Sequence, residues 1–195
     1  MAYAIIQPPF TLKFREMSKK ELKDYFQWFL GAIPERRREL SNVVKATPGY
    51  EAWQADETSS SLNPLGEWFA TQIETRRRTQ SEISDIQSRS KFPFSIPDEE
   101  LTNRTFSLAM DVGIYLSLVF LKTHSNVRWE HVFGGKSSID YGQPVLVGFG
   151  KVPFNPVHML VTLAYGLASK KKTGQSLRQL YDYWSKLIQA HKSQV

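Results

Sequence analysis

The sequence predicts an α+β fold dominated by helices, with about six helices and a small sheet of about three strands. Three observations lead there. Apolar residues recur at spacings of three and four in six separate segments. Two β-rich runs, "VRWEHVF" and "PVLVGFG", stand close together late in the chain. Helices and strands are mostly segregated rather than alternating. With 195 residues and no long linker, the chain reads as one globular domain over 1–195.

Taken in order, "FTLKFREM" alternates apolar and polar at Phe10, Leu12 and Phe14, which predicts a strand. Ser18 and Glu21 form a capping-box pattern before a first helix carrying Leu22, Tyr25, Phe26 and Phe29. Gly31 should end that helix, and Pro34 should open a second one running to about Ala46. "TPGY" is a turn, and residues 47–63 form a polar loop. Pro64 should open a third helix through Leu65, Trp68, Phe69 and Ile73 to about Ile86. "SRSKFPFSIP" is a connector. Asp98 should cap a fourth helix reaching about Lys122, apolar almost all round from Phe106 to Leu121 and therefore central. The two late strands follow, joined by "GGKSSIDYGQ", with Pro144 marking a strand start or an edge open to β-addition. Asn155 caps a fifth helix with Pro156 at its first position, "KKKTG" ends it, and "SLRQLYDYWSKLI" is a sixth.

Composition narrows the function classes. There is no cysteine, which excludes disulfides, thiolate metal sites and a thiol nucleophile, and suits a reducing cytoplasm. "MAYAIIQPPF" lacks the basic and apolar regions of a signal peptide. The apolar stretch from Ser107 to Leu121 is interrupted by Asp111 and reads as too short to span a bilayer. A net charge of +6 invites a polyanion partner.

"WFLGAIPERRR" from Trp28 and "WFATQIETRRR" from Trp68 repeat Trp, Phe, Ile and three Arg at an offset of forty residues. Two units do not make an array, so the economical reading is two helices with similar core stripes. Arg36, Arg37 and Arg38, Arg76, Arg77 and Arg78, and Lys170, Lys171 and Lys172 are the candidate polyanion contacts. Three consecutive Arg on a helix fan too widely to face one ligand, so some should pair with carboxylates such as Glu35, Glu39 or Glu74.

No motif specifies catalysis. "FGGKSS" has Glu130 where a phosphate loop needs its first glycine, and "GFG" is not completed to a dinucleotide fingerprint. His124, His131, His158 and His191 show no metal-ligand spacing, and no GxSxG is present. No cofactor is implied. Asp111 is the most informative single residue, because an isolated carboxylate on an apolar helix is costly to bury. It is read as a buried polar anchor bound to a donor such as Arg128, Trp68 or Trp129, Arg104 lying too far back along the helix. The competing reading is a pocket acid near His131 and Asp140. Gly113 should allow another element to approach closely.

The combination "MSKKELKDYFQWFLGAIPERRREL", "NPLGEWF", "DVGIY", "RWE" and "YGQPVLVGF" resembles a group of uncharacterised cytoplasmic proteins of Gram-positive bacteria. Some small proteins of that kind are immunity partners of bacterial toxins. The resemblance implies a non-enzymatic, cytoplasmic protein-binding module with a protein partner. Its motifs are aromatic and structural and carry over no site residues. A basic chain is not an expected partner for a nuclease toxin. A nucleic-acid-associated protein and an enzyme with an unrecognised site stay as alternatives.

Overall fold

A computed structural model describes residues 3–89, 95–133 and 135–192. Its fold is α+β and helix-dominated, with four short strands in two separate sheets rather than about three in one.

Helix α1 spans Lys19–Lys45 without interruption. Ser18 caps it, and Glu21 returns the bond to the Ser18 backbone in the expected capping box. Gly31 and Pro34 were expected to divide this segment, yet Pro34 lies inside one helix. The buried stripe of Leu22, Tyr25, Phe29, Arg36, Leu40 and Val44 continues across the proline. Tertiary burial on both sides holds the helix together against a local break. The segment before it is not the expected strand. Leu12 takes a left-handed backbone, and Glu16 and Met17 donate back to the Lys13 carbonyl, so the chain turns where the alternation suggested extension.

A short 3-10 turn at Ser59–Ser61 leads into α2, Leu62–Thr71. The expected long third helix stops there. Strand β1 (Thr75–Arg77) and helix α3 (Gln80–Arg89) follow. β1 pairs antiparallel with β2 (Glu99–Leu101), setting Arg76 opposite Glu100. The two "WF…RRR" strings therefore fold differently: the first is helical throughout, and the second passes from helix into strand. The expected connector over 88–97 lies partly outside the described residues.

Helix α4, Asn103–Thr123, is capped by Thr102 rather than Asp98, because residues 99–101 are taken up by β2. Ser107 through Ser117 are all buried, so α4 is the central helix that the sequence predicted. Its length and composition alone would allow it to cross a bilayer, contrary to the reading of Ser107–Leu121 as too short, but 78% of its most apolar window is buried within this fold. The hairpin strands β3 (Arg128–His131) and β4 (Pro144–Val147) pair as expected, with Trp129 opposite Leu146. The outer side of β4 is not an open edge at its centre: Leu146 and Phe154 exchange both backbone hydrogen bonds.

Helix α5, Pro156–Ala168, begins at the predicted Asn155 cap. It lies tightly along α4. A Cβ on Gly113 would sit 2.9 Å from the Pro156 carbonyl oxygen, which gives the close approach expected there. Helix α6, Gln175–Lys192, packs on α2 through a second bare-backbone contact between Gly174 and Gly66. Phe120, Phe149, Phe154, Tyr181 and Trp184 pack ring against ring where α4, α6 and the hairpin meet.

A candidate ligand groove beside a buried ion pair

Asp111 is fully buried, as expected of an anchor, but its donors are not those named from the sequence. Arg36 on α1 meets it with two parallel hydrogen bonds, Nε to Oδ1 at 2.8 Å and Nη2 to Oδ2 at 2.7 Å. The Tyr3 hydroxyl donates to Oδ2 at 2.5 Å and accepts from Arg36 Nη2 at 2.9 Å. Because that hydroxyl's proton goes to Asp111, Ser107 Oγ donates to it in turn, at 2.7 Å, and accepts from the Ile6 amide at 2.9 Å. Burial raises the Asp111 pKa, while Arg36 and Tyr3 oppose the rise. We assign the ionised carboxylate, because a guanidinium held in this fork keeps its charge. Arg128 pairs with Glu130, and Trp68 Nε1 donates to Thr47, so neither serves Asp111. Trp129 Nε1 is buried with no partner among the described residues. Arg104 indeed points elsewhere, to Glu74 at 3.1 Å, with its guanidinium over the Tyr3 ring.

This network ties the start of the chain down. Arg36 Nη2 also donates to the Ala4 carbonyl at 2.9 Å. Beyond Ile6 the segment runs over α1, α4 and the start of α5, and encloses with them a groove of about 570 Å³. Phe29, Phe106, Met110 and Val161 supply apolar wall, and Ile5 and Leu12 stand at the segment side, 43% and 44% exposed. Gln7, Asn103, Ser107, Gln143 and Asn155 supply uncharged polar atoms, and among the described residues no charged side chain lines the groove. Asn155 is fixed twice over. Its Nδ2 donates to Asp140 at 2.9 Å and Gln143 at 3.0 Å, while its Oδ1 caps α5 through the His158 amide. An apolar concavity of this size with a few aimed polar groups is the usual form of a small-molecule site.

The alternative constellation of Asp111, His131 and Asp140 does not form. Asp111 is committed to Arg36 and Tyr3. His131 stacks on Phe26 at 5.1 Å and faces the Gly142 carbonyl. Burial, with Lys23 beside it, holds His131 below its ordinary pKa. Asp140 serves Asn155 and lies 3.6 Å from His158. Among the described residues no group of His, Asp and Glu is arranged to hold a metal ion.

The basic triplets have divided roles. Arg36 is buried against Asp111, and Arg37 pairs with Glu57 at 2.7 Å. Arg76 pairs with Glu82 and Glu100, and Arg78 with Glu100, since alternate strand residues share a face. Of the expected carboxylate partners, Glu74 joins Arg104 instead, and Glu35 and Glu39 join no ion pair among the described residues. Arg38, Arg77, Lys170, Lys171 and Lys172 are exposed and have no carboxylate within ion-pair distance among those residues. Sequence reasoning missed Tyr3, Arg36 as the Asp111 partner, and the groove-forming segment from Ile5 to Phe14. The available signal was an aromatic and apolar start, "YAIIQPPF", whose two prolines suit an extended covering segment better than a paired strand. No family model, curated protein or solved structure matches the chain.

Proposed function

We propose that this chain is a non-catalytic binding module whose groove, enclosed by the N-terminal segment, holds a small apolar molecule. The observation that carries this is the groove's chemistry: about 570 Å³, mostly apolar, with no charged residue on its wall among the described residues. Charges would favour a polar substrate and acid–base work, whereas this lining favours burial of apolar surface. Strand addition by a peptide is disfavoured at β4, whose central outer bonds go to Phe154. The test is titration with the neutral fluorophore N-phenyl-1-naphthylamine. Saturable one-to-one binding is expected in the native chain. Val161→Trp should fill the groove and abolish binding without changing the circular dichroism. Absent binding, or binding that survives in the filled variant, overturns the proposal.

A protein partner, with the immunity role suggested by the resemblance, is a second reading. It is supported by exposed apolar side chains in the hairpin's connecting loop and in the loop after it, Ile139 at 66% and Val152 at 60%. Apolar groups of this kind lie at the centres of protein interfaces. A stoichiometric partner recovered from host cytoplasm and lost with Ile139→Ser and Val152→Ser is the expected outcome. Cytoplasmic placement belongs to the same proposal and is supported by the cysteine-free composition.

A further inference from the structure

We infer that the ligand of this groove is an anionic amphiphile, with a single alkyl chain in the groove and its acidic head on a cluster of cations next to it. The inference rests on the groove reading and adds the chemical class. Phe14 and Gln143 line the groove and also a neighbouring cleft of about 330 Å³, which contains Lys13, Arg15 and Glu16. Tyr141 lines that cleft and also a third one, which contains Lys19, Lys23 and Lys136. An apolar cavity thus adjoins a band that has, among the described residues, five cations and one carboxylate.

The carboxylate is already engaged, since Glu16 pairs with Lys13 at 3.3 Å. Arg15, Lys19, Lys23 and Lys136 have no carboxylate within ion-pair distance among the described residues, and Lys136 Nζ donates to the Arg15 carbonyl at 3.2 Å, which brings the Lys136 ammonium to the Arg15 backbone. Like charges gathered this way repel one another, and an anion relieves the repulsion. A neutral hydrocarbon would leave the cationic band idle. A compact anion without a chain would leave the groove idle. A single molecule with both parts satisfies both surfaces.

Calorimetric titration of the full chain with dodecyl phosphate and with dodecanol, each below its aggregation limit, separates the two ideas. The phosphate should bind one-to-one and about five- to ten-fold tighter than the alcohol at low salt, the margin that a pair of exposed ion contacts supplies. Added salt should narrow that margin. Arg15→Gln with Lys136→Gln should bring the phosphate close to the alcohol and leave the alcohol unchanged. Val161→Trp should remove both ligands, and changing Lys170, Lys171 and Lys172 to Gln should affect neither. Equal binding of both ligands, unaffected by Arg15→Gln with Lys136→Gln, overturns the headgroup assignment and leaves the groove standing. Failure of both to bind the native chain overturns the groove and this inference together. Phosphate binding that persists in Val161→Trp overturns the head-and-tail arrangement.

Discussion

Arg36 and Asp111 lie seventy-five positions apart and form one planar, doubly hydrogen-bonded ion pair in the middle of the fold. The pair joins α1 to α4, and Tyr3 adds the N-terminal segment to the same junction. Both charged side chains are almost wholly withdrawn from water, 5% and 0% exposed. Their desolvation is therefore large, and their mutual attraction serves mainly to offset it. Such a pair specifies which elements meet more than it stabilises the whole.

Asp111→Ala should cost on the order of 3–5 kcal/mol, because it leaves the Arg36 charge buried and unpaired. Arg36→Met combined with Asp111→Leu should lose much less than the two single changes added together. Urea unfolding of Asp111→Ala, of Arg36→Met and Asp111→Leu alone, and of the double variant checks this. A double variant as unstable as the sum would show that the pair contributes more than specificity.

Tyr3→Phe should cost about 1–2 kcal/mol by removing a hydroxyl that serves Asp111, Arg36 and Ser107 while leaving the ion pair whole. Amide exchange at Ile6 should accelerate, since its acceptor Ser107 loses its own anchor. Unchanged protection at Ile6 would show that the segment is held by its apolar contacts alone.

The alkaline limb of stability should be steep. Burial raises the phenol pKa values of Tyr3, Tyr25 and Tyr115 above the ordinary 10.0. In the unfolded chain these phenols ionise near 10, while in the fold they keep their protons. The stability they contribute is thus fully present below about pH 10 and falls as pH rises beyond it. Urea midpoints should be level from about pH 8 to about pH 10 and then decline, less steeply in Tyr3→Phe. A midpoint still level well above that range would contradict the assignment.

Gly113→Ala should cost about 1–3 kcal/mol, because its Cβ would meet the Pro156 backbone and force α4 and α5 apart. Met110 and Val157 border the groove from those same two helices, so ligand affinity should change with stability. Thermal unfolding and the fluorophore titration together check this. A variant of native stability would mean that the α5 start yields without cost.

Several features were legible because their causes are local. The Ser18 box and the Asn155 cap with Pro156 are satisfied within a few residues, so they form wherever the helix forms. The central place of α4 followed from its apolar faces, and the burial of Asp111 from its neighbours. The hairpin was legible from β-rich runs and the proline that starts β4.

The rest was decided at a distance. Pro34 breaks helices locally, yet α1 passes through it because Phe29 and Leu40 are buried on either side. Arg76 and Arg77 left a helical pattern for a strand because Glu99–Leu101 pairs with them. Phe10, Leu12 and Phe14 alternate as a strand would, but Leu12 and Phe14 line a groove, and Phe10 and Phe14 are set against Tyr25. The sequence by itself determined that Asp111 needed a partner, since burying a lone charge is prohibitive. Only the tertiary structure decided that the partner is Arg36 with Tyr3, because the choice among distant donors depends on which helices cross, and that depends on the packing of the whole chain.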